Sequence, residues 1–347
     1  MKRKVILAIF TLAVILSAFQ ASAFEAKTKW SYQTAGAPTG GLKIYNDLVI
    51  FGDWTGQIYA LNKSSGAVAW TYKDDNENAT VGTPVVAEGR VFFAYANGEV
   101  ICLKASDGSL VWRNRPYEDD LGFGDGLAAG KSLVFAAKLD GKIQALDQAS
   151  GHVVWTHDTG RALRTAPGYG DGFLFLGEDD GIFSIIDAKK GERINGGGAG
   201  GAINTPVSDK GNVYFSAWDN SVQAVQLKDV IPLWKADVKD PVSTPPAISH
   251  GIIVVGTARS LIVALSQDDG RILWTRDLQN GTIKAKPVIA DGVVFAGAEG
   301  GNIYGFDVKT GEVRFTFETE FGIDAEPAYS DGVFYFANEQ HTVYAVQ

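Results

Sequence analysis

The chain has 347 residues, with 31 Lys and Arg against 40 Asp and Glu and a formal net charge of −9. That balance argues against nucleic acid and anionic membrane surfaces as partners. The single cysteine, Cys102, excludes an intrachain disulfide.

The chain opens with Lys2, Arg3 and Lys4, an apolar run from Val5 to Phe19, and the small-residue site Ala21-Ser22-Ala23. This is the pattern of a secretory signal peptide cleaved after Ala23, and the run is too short for a membrane span. No cysteine stands directly after this run, so no lipid anchor is expected. Loss of three basic residues with the signal takes the net charge from −9 to −12. Residues 24–347 are expected to form one domain, periplasmic or secreted.

Next comes a lone strand signal, KTKWSYQT (27–34), and then one phrase repeated along the chain. It reads GQIYALNKSSGAVAW (56–70), GEVICLKASDGSLVW (98–112), GKIQALDQASGHVVW (141–155) and GIFSIIDAKKGERIN (181–195). It continues as NSVQAVQLKDVIPLW (220–234), SLIVALSQDDGRILW (260–274) and GNIYGFDVKTGEVRF (301–315). The final positions are Trp70, Trp112, Trp155, Asn195, Trp234, Trp274 and Phe315, spaced by 42, 43, 40, 39, 40 and 41 residues.

Each unit carries four short strand signals rich in Val, Ile, Phe and Tyr. In the second unit these are TPVVA (83–87), VFFAYA (91–96), EVICLK (99–104) and SLVWRN (109–114). Turn residues separate them: Glu88-Gly89, Asn97-Gly98 and Ser106-Asp107-Gly108. A period near 40 with four strands per unit predicts a β-propeller. The last segment, 325–347, ends after its third strand, and Trp30 sits 40 residues before Trp70. The two ends therefore predict one shared blade, three strands from the C-terminus and the outermost from 27–34. The fold expected is all-β: eight four-stranded antiparallel blades.

Trp30, Trp70, Trp112, Trp155, Trp234, Trp274 and Phe315 read as a docking column wedged between neighbouring blades. Asn195 breaks the column beside a glycine-rich run, so that blade edge is expected to be loose. Val230 replaces the turn glycine in the fifth unit, where a distorted turn is expected. Prolines 84, 167, 206, 246, 287 and 327, with Leu42 and Leu127, mark the innermost strands, which line a central channel. Cys102 aligns with mostly small residues, as a buried small hydrophobe would.

The pattern A-x-D/N-x-x-x-G-x-x-x-W resembles the tryptophan-docking repeats of the pyrroloquinoline-quinone (PQQ) propeller superfamily. That superfamily holds both quinoprotein dehydrogenases and non-enzymatic scaffolds. Within it, EPAYSDGVFYFANEQHTVYAV (326–346) is similar to the closing blade of the BamB outer-membrane barrel-assembly family. Leu163-Arg164-Thr165-Ala166-Pro167, followed by GEDDGIFSI (177–185), is similar to a blade of that family whose Leu-Arg loop contacts the barrel-forming partner.

The resemblance implies a non-enzymatic, monomeric scaffold in the cell envelope. Leu163 and Arg164 would bind a partner in the outer-membrane barrel-assembly machinery. Members of that family are usually lipoproteins, and this sequence lacks the cysteine for it. The quinoprotein enzymes carry adjacent cysteines under the cofactor and Asp, Glu and Asn around calcium. One cysteine cannot supply that pair, so no cofactor is expected. PQQ with calcium belongs to the alternative reading as an oxidoreductase.

Loops entering the first strand and loops joining the second and third strands share one face. They hold 23 of the 40 acidic residues, which reads either as solvated loops or as an acidic docking surface. Asp125, Arg164, Lys284, Lys286, Asp324 and Glu326 precede the innermost strands at the channel mouth. Lys284 and Lys286 alternate beside Asp324 and Glu326, as either a cross-strand ion network or a site for a peptide, a small anion or a polysaccharide fragment. His152, His157, His250 and His341 form no catalytic or metal set, and no catalytic residue or metal ligand is expected.

Overall fold

The computed structural model describes residues 26–73, 78–115 and 122–347; the signal-peptide expectation lies outside them. The chain forms eight four-stranded antiparallel sheets arranged as a ring. In blade one the strands run Pro38–Tyr45, Leu48–Asp53, Gln57–Asn62 and Val68–Lys73, from the channel outward. Blade eight is Ala328–Ser330, Val333–Ala337, Thr342–Val346 and then Thr28–Gln33 as the outermost strand. Trp30 pairs with Ala345 and Tyr32 with Val343, so the ends join in the expected blade. Lys27 and Gln347 exchange both backbone hydrogen bonds at 2.9 Å, which holds the seam at its edge.

The second and third strands are buried on both faces, because each blade is sandwiched between two others. Val49, Ile50 and Phe51 are all fully buried although successive side chains point to opposite sides. This explains why these strands read as continuous apolar runs. The outermost strands alternate exposed and buried residues instead. Each outermost strand bulges just before its docking position, which is aromatic in every blade but the fourth, as where Ala60 faces Trp70 but Leu61 faces Val68. The extra residue turns the indole toward the next blade.

That turn builds one repeated joint. Trp70 lies on Gly108 of the next blade and donates its indole N–H to Ala105 O at 3.0 Å. Gly108 has φ +72°, and a Cβ there would sit 2.5 Å from the ring. Trp30, Trp112, Trp155, Trp234 and Trp274 make the same bond to Lys63, Gln148, Ala188, Gln267 and Val308 at 2.9–3.2 Å. Each acceptor lies three residues before the turn glycine on which the indole rests.

The two irregularities in the repeat prove to be one. Asn195 of blade four faces the turn of blade five, where Val230 replaces the glycine at φ +52°. A joint lacking its indole no longer needs a bare turn. An apolar cavity of about 270 Å³ opens there, lined by Phe173, Ile185, Ile194, Asn195, Gly211, Leu227 and Lys228. Phe315 faces the closing seam, packing on Phe295 with ring centroids 5.6 Å apart. Cys102 is fully buried, and burial pushes its thiol up to about 12, far from reactive.

Candidate functional site

The innermost strands are not equivalent. In blades one to three they run seven or eight residues, Pro38–Tyr45, Thr80–Ala87 and Phe123–Ala129; in the other five they are three residues long. Gly40, Gly82 and Gly126, at φ +66°, +67° and +79°, let the three long strands touch. A Cβ on Gly82 would lie 2.4 Å from the Gly126 Cα. The loop of blade eight closes against the same edge: Glu326 N–H donates to Gly40 O at 2.7 Å, and Leu42 N–H donates to Glu326 O at 3.0 Å.

The axial channel holds two cavities. The one toward the loop face is about 440 Å³, with Lys43, Asp125, Lys284, Lys286, Asp324 and Glu326 in its wall and Pro84, Pro167 and Pro245 among its apolar lining. The other is about 330 Å³ and includes Ile44, Val288 and Tyr329. Lys43, Thr83, Lys286 and Glu326 line both and form the waist between them. The structure thus gathers five of the six channel-mouth residues, all but Arg164, and adds Lys43, which the repeat pattern hid inside a strand.

Only half of the expected ion network forms. Lys284 Nζ lies 2.6 Å from Glu299 Oε1 and 3.3 Å from Asp324 Oδ2. The Glu299 contact, with Asp324 behind it, raises the Lys284 pKa, and the same contact lowers that of Glu299. Lys286 and Glu326 make no ion pair within 4 Å among the described residues, and neither does Lys43. Glu326 instead accepts a hydrogen bond from Thr83 Oγ1 at 2.9 Å. The Asp125 residue is exposed to the channel, while the encircling strands crowd its carboxyl. Burial first and the Glu326 charge second push Asp125 up to about 7, against the Ala166 N–H that it accepts.

The Leu-Arg loop divides. Leu163 is 1% exposed and packs in the core between blades three and four with Ile143, Leu174 and Leu176. Its side chain lies in the core, where it anchors the loop that carries Arg164. Arg164 keeps 65% of its side chain exposed and pairs with Asp179. Gly124 lies beneath it, where a Cβ would come 2.4 Å from Arg164 O. Arg161 pairs with Asp180 and lies 3.7 Å from the buried Glu178.

The acidic face is smaller than the loop count implied. Asp53 is fully buried and accepts from the N–H groups of Gly36, Thr55 and Gln57 and the hydroxyls of Thr55 and Tyr59. Glu178 and Asp240 are buried too. Asp74, Asp75, Glu77, Glu118, Asp119 and Asp120 lie outside the described residues. What the acid count missed is aromatic: Trp54 and Trp218 are 63% and 49% exposed on the same face. Each stands at the same place in its repeat, one residue after the second strand or its closing bridge. Among the described residues, no group of three or more His, Cys, Asp or Glu could hold a metal ion. No helix there is long and apolar enough to cross a membrane.

Comparison with known proteins agrees with this architecture. A family model described as outer membrane protein assembly factor BamB matches residues 17–122, 139–235 and 218–347. The chain is 21% identical over 299 residues to the assembly factor BamB of Yersinia pestis, covering 82% of this chain and 65% of that one. It is 25% identical over 303 residues to BamB of Escherichia coli K12, covering 80% and 74%. A local match, 32% identical over 111 residues and 30% of the chain, links it to a quinohemoprotein alcohol dehydrogenase of Pseudomonas putida. The crystal structure of BamB from Moraxella catarrhalis superposes with a TM-score of 0.77 at 16% identity, covering 93% of this chain and 97% of that one. With three matched segments spanning nearly the whole ring, the chain belongs to the family of the outer membrane protein assembly factor BamB.

Proposed function

We propose that this protein is a non-enzymatic scaffold of the periplasm that binds a component of the outer-membrane barrel-assembly machinery. The family match along nearly the whole ring carries this reading. The loop geometry supplies the chemistry. Leu163 pins the loop into the core, and Arg164 is presented from a fixed backbone. Its ion pair with Asp179 is exposed, and such pairs contribute only about 0–1 kcal/mol. A partner carboxylate can therefore take the guanidinium with little loss, and a rigid loop gives up little ordering entropy on docking. Arg164→Glu is expected to leave the circular dichroism spectrum and melting temperature unchanged while abolishing capture of the purified assembly component. Undiminished capture would remove Arg164 from the interface.

The same reading holds that no PQQ is bound, since one cysteine cannot form the adjacent pair of the quinoprotein enzymes. Titration with PQQ and calcium is expected to leave tryptophan fluorescence unchanged after inner-filter correction. Saturable, calcium-dependent quenching would favour the oxidoreductase alternative.

A further inference from the structure

We propose that the channel cavity on the loop face binds a small zwitterion of the amino-acid or dipeptide class, its carboxylate at Lys43 and Lys286 and its ammonium at Asp125 and Glu326. The charges of this cavity are not matched to one another. Lys43 and Asp125 are exposed to this cavity and Lys286 and Glu326 are half-buried in its wall, so all four can take up a ligand's charges through charge-assisted hydrogen bonds. Here one cavity wall carries two ammonium groups and two carboxyls, yet no ion pair within 4 Å joins them among the described residues. The contrast lies in the same wall, where Lys284 is matched by both Glu299 and Asp324.

The carboxyls repel instead of finding cations. The charge on Glu326 helps to drive the Asp125 carboxyl upward, and among the described residues Glu326 has only the Thr83 hydroxyl as a side-chain donor. A simple anion would satisfy the lysines and leave this carboxyl pair as it is. A simple cation would do the reverse. A molecule with both charges serves both sets at once. The volume of about 440 Å³ falls in the range of small-molecule sites, roughly 300–1,000 Å³, and the prolines give it an apolar, stiff floor. Lys43, Thr83, Lys286 and Glu326 stand where this cavity meets the second one.

The test is isothermal titration of the full folded chain with glycylglycine, N-acetylglycylglycine and glycylglycinamide. The free dipeptide is expected to bind saturably, and capping either end is expected to weaken it about tenfold or more. Lys286→Met should weaken glycylglycine but have little further effect on the amide, which has already lost the carboxylate. Asp125→Asn should shrink the difference between the free and acetylated forms, and Asp125→Asn with Glu326→Gln should erase it. Equal binding of the acetylated peptide would reduce the site to an anion site, and equal binding of the amide to a cation site. Either result, or absence of binding by all three, would overturn the proposal. The inference does not depend on the scaffold reading: Arg164→Glu should bind glycylglycine normally.

Discussion

Asp125 shows how a single side chain reports on the ring around it. Its carboxyl is raised to about 7 by burial and by Glu326, while Lys43, Lys284, Lys286 and Asp324 line the same cavity. A carboxyl raised in the folded state favours folding while protonated, below its unfolded value near 4. That contribution is lost as pH rises from about 4 through about 7. Asp125→Asn keeps the neutral form at every pH. It should therefore raise the melting temperature more at pH 8 than at pH 5, measured in matched ionic strength. An equal change at both values would mean that Asp125 titrates as an ordinary exposed acid. Sequence could place Asp125, Lys284, Lys286, Asp324 and Glu326 near the mouth because they precede the innermost strands. It could not reveal Lys43, which reaches the channel because the long inner strand of blade one shifts register between Thr39 and Lys43. It also treated Leu163 and Arg164 alike, since burial of one and exposure of its neighbour depend on packing between blades.

At the scale of the blade, the indole–glycine joint is the repeating unit of cohesion. Removing a buried aromatic of this kind destabilises by about 3–5 kcal/mol, so Trp112→Ala should lower the urea midpoint accordingly. The fourth joint gives a sharper test, because its two halves are both replaced. Asn195→Trp alone should gain little or destabilise, since Val230 occupies the turn on which the indole would rest. Combined with Val230→Gly it should stabilise, with a coupling of about 0.5–3 kcal/mol in a double-mutant cycle. Additive effects would show that the two positions do not share a joint. Both departures were visible in the repeat as separate defects, a lost Trp and a lost glycine. Their partnership was not, because the residues lie 35 positions apart in neighbouring repeats and meet only when the blades stack.

At the scale of the molecule, the ring was the most legible feature, because its period recurs through the whole chain and the half-blades at the two ends complete each other. Function was less legible, since one fold supports many sites. In the proposed function, partner binding lies on the loop face, at the Leu-Arg loop, apart from the channel. The most direct test puts a photo-crosslinking residue at position 164 and, as a control, at exposed Lys309 between the third and fourth strands on the opposite face. The account predicts that position 164, and not 309, crosslinks to an outer-membrane barrel-assembly component in the intact envelope. Equal labelling from both positions, or none from 164 in a folded protein, would contradict it.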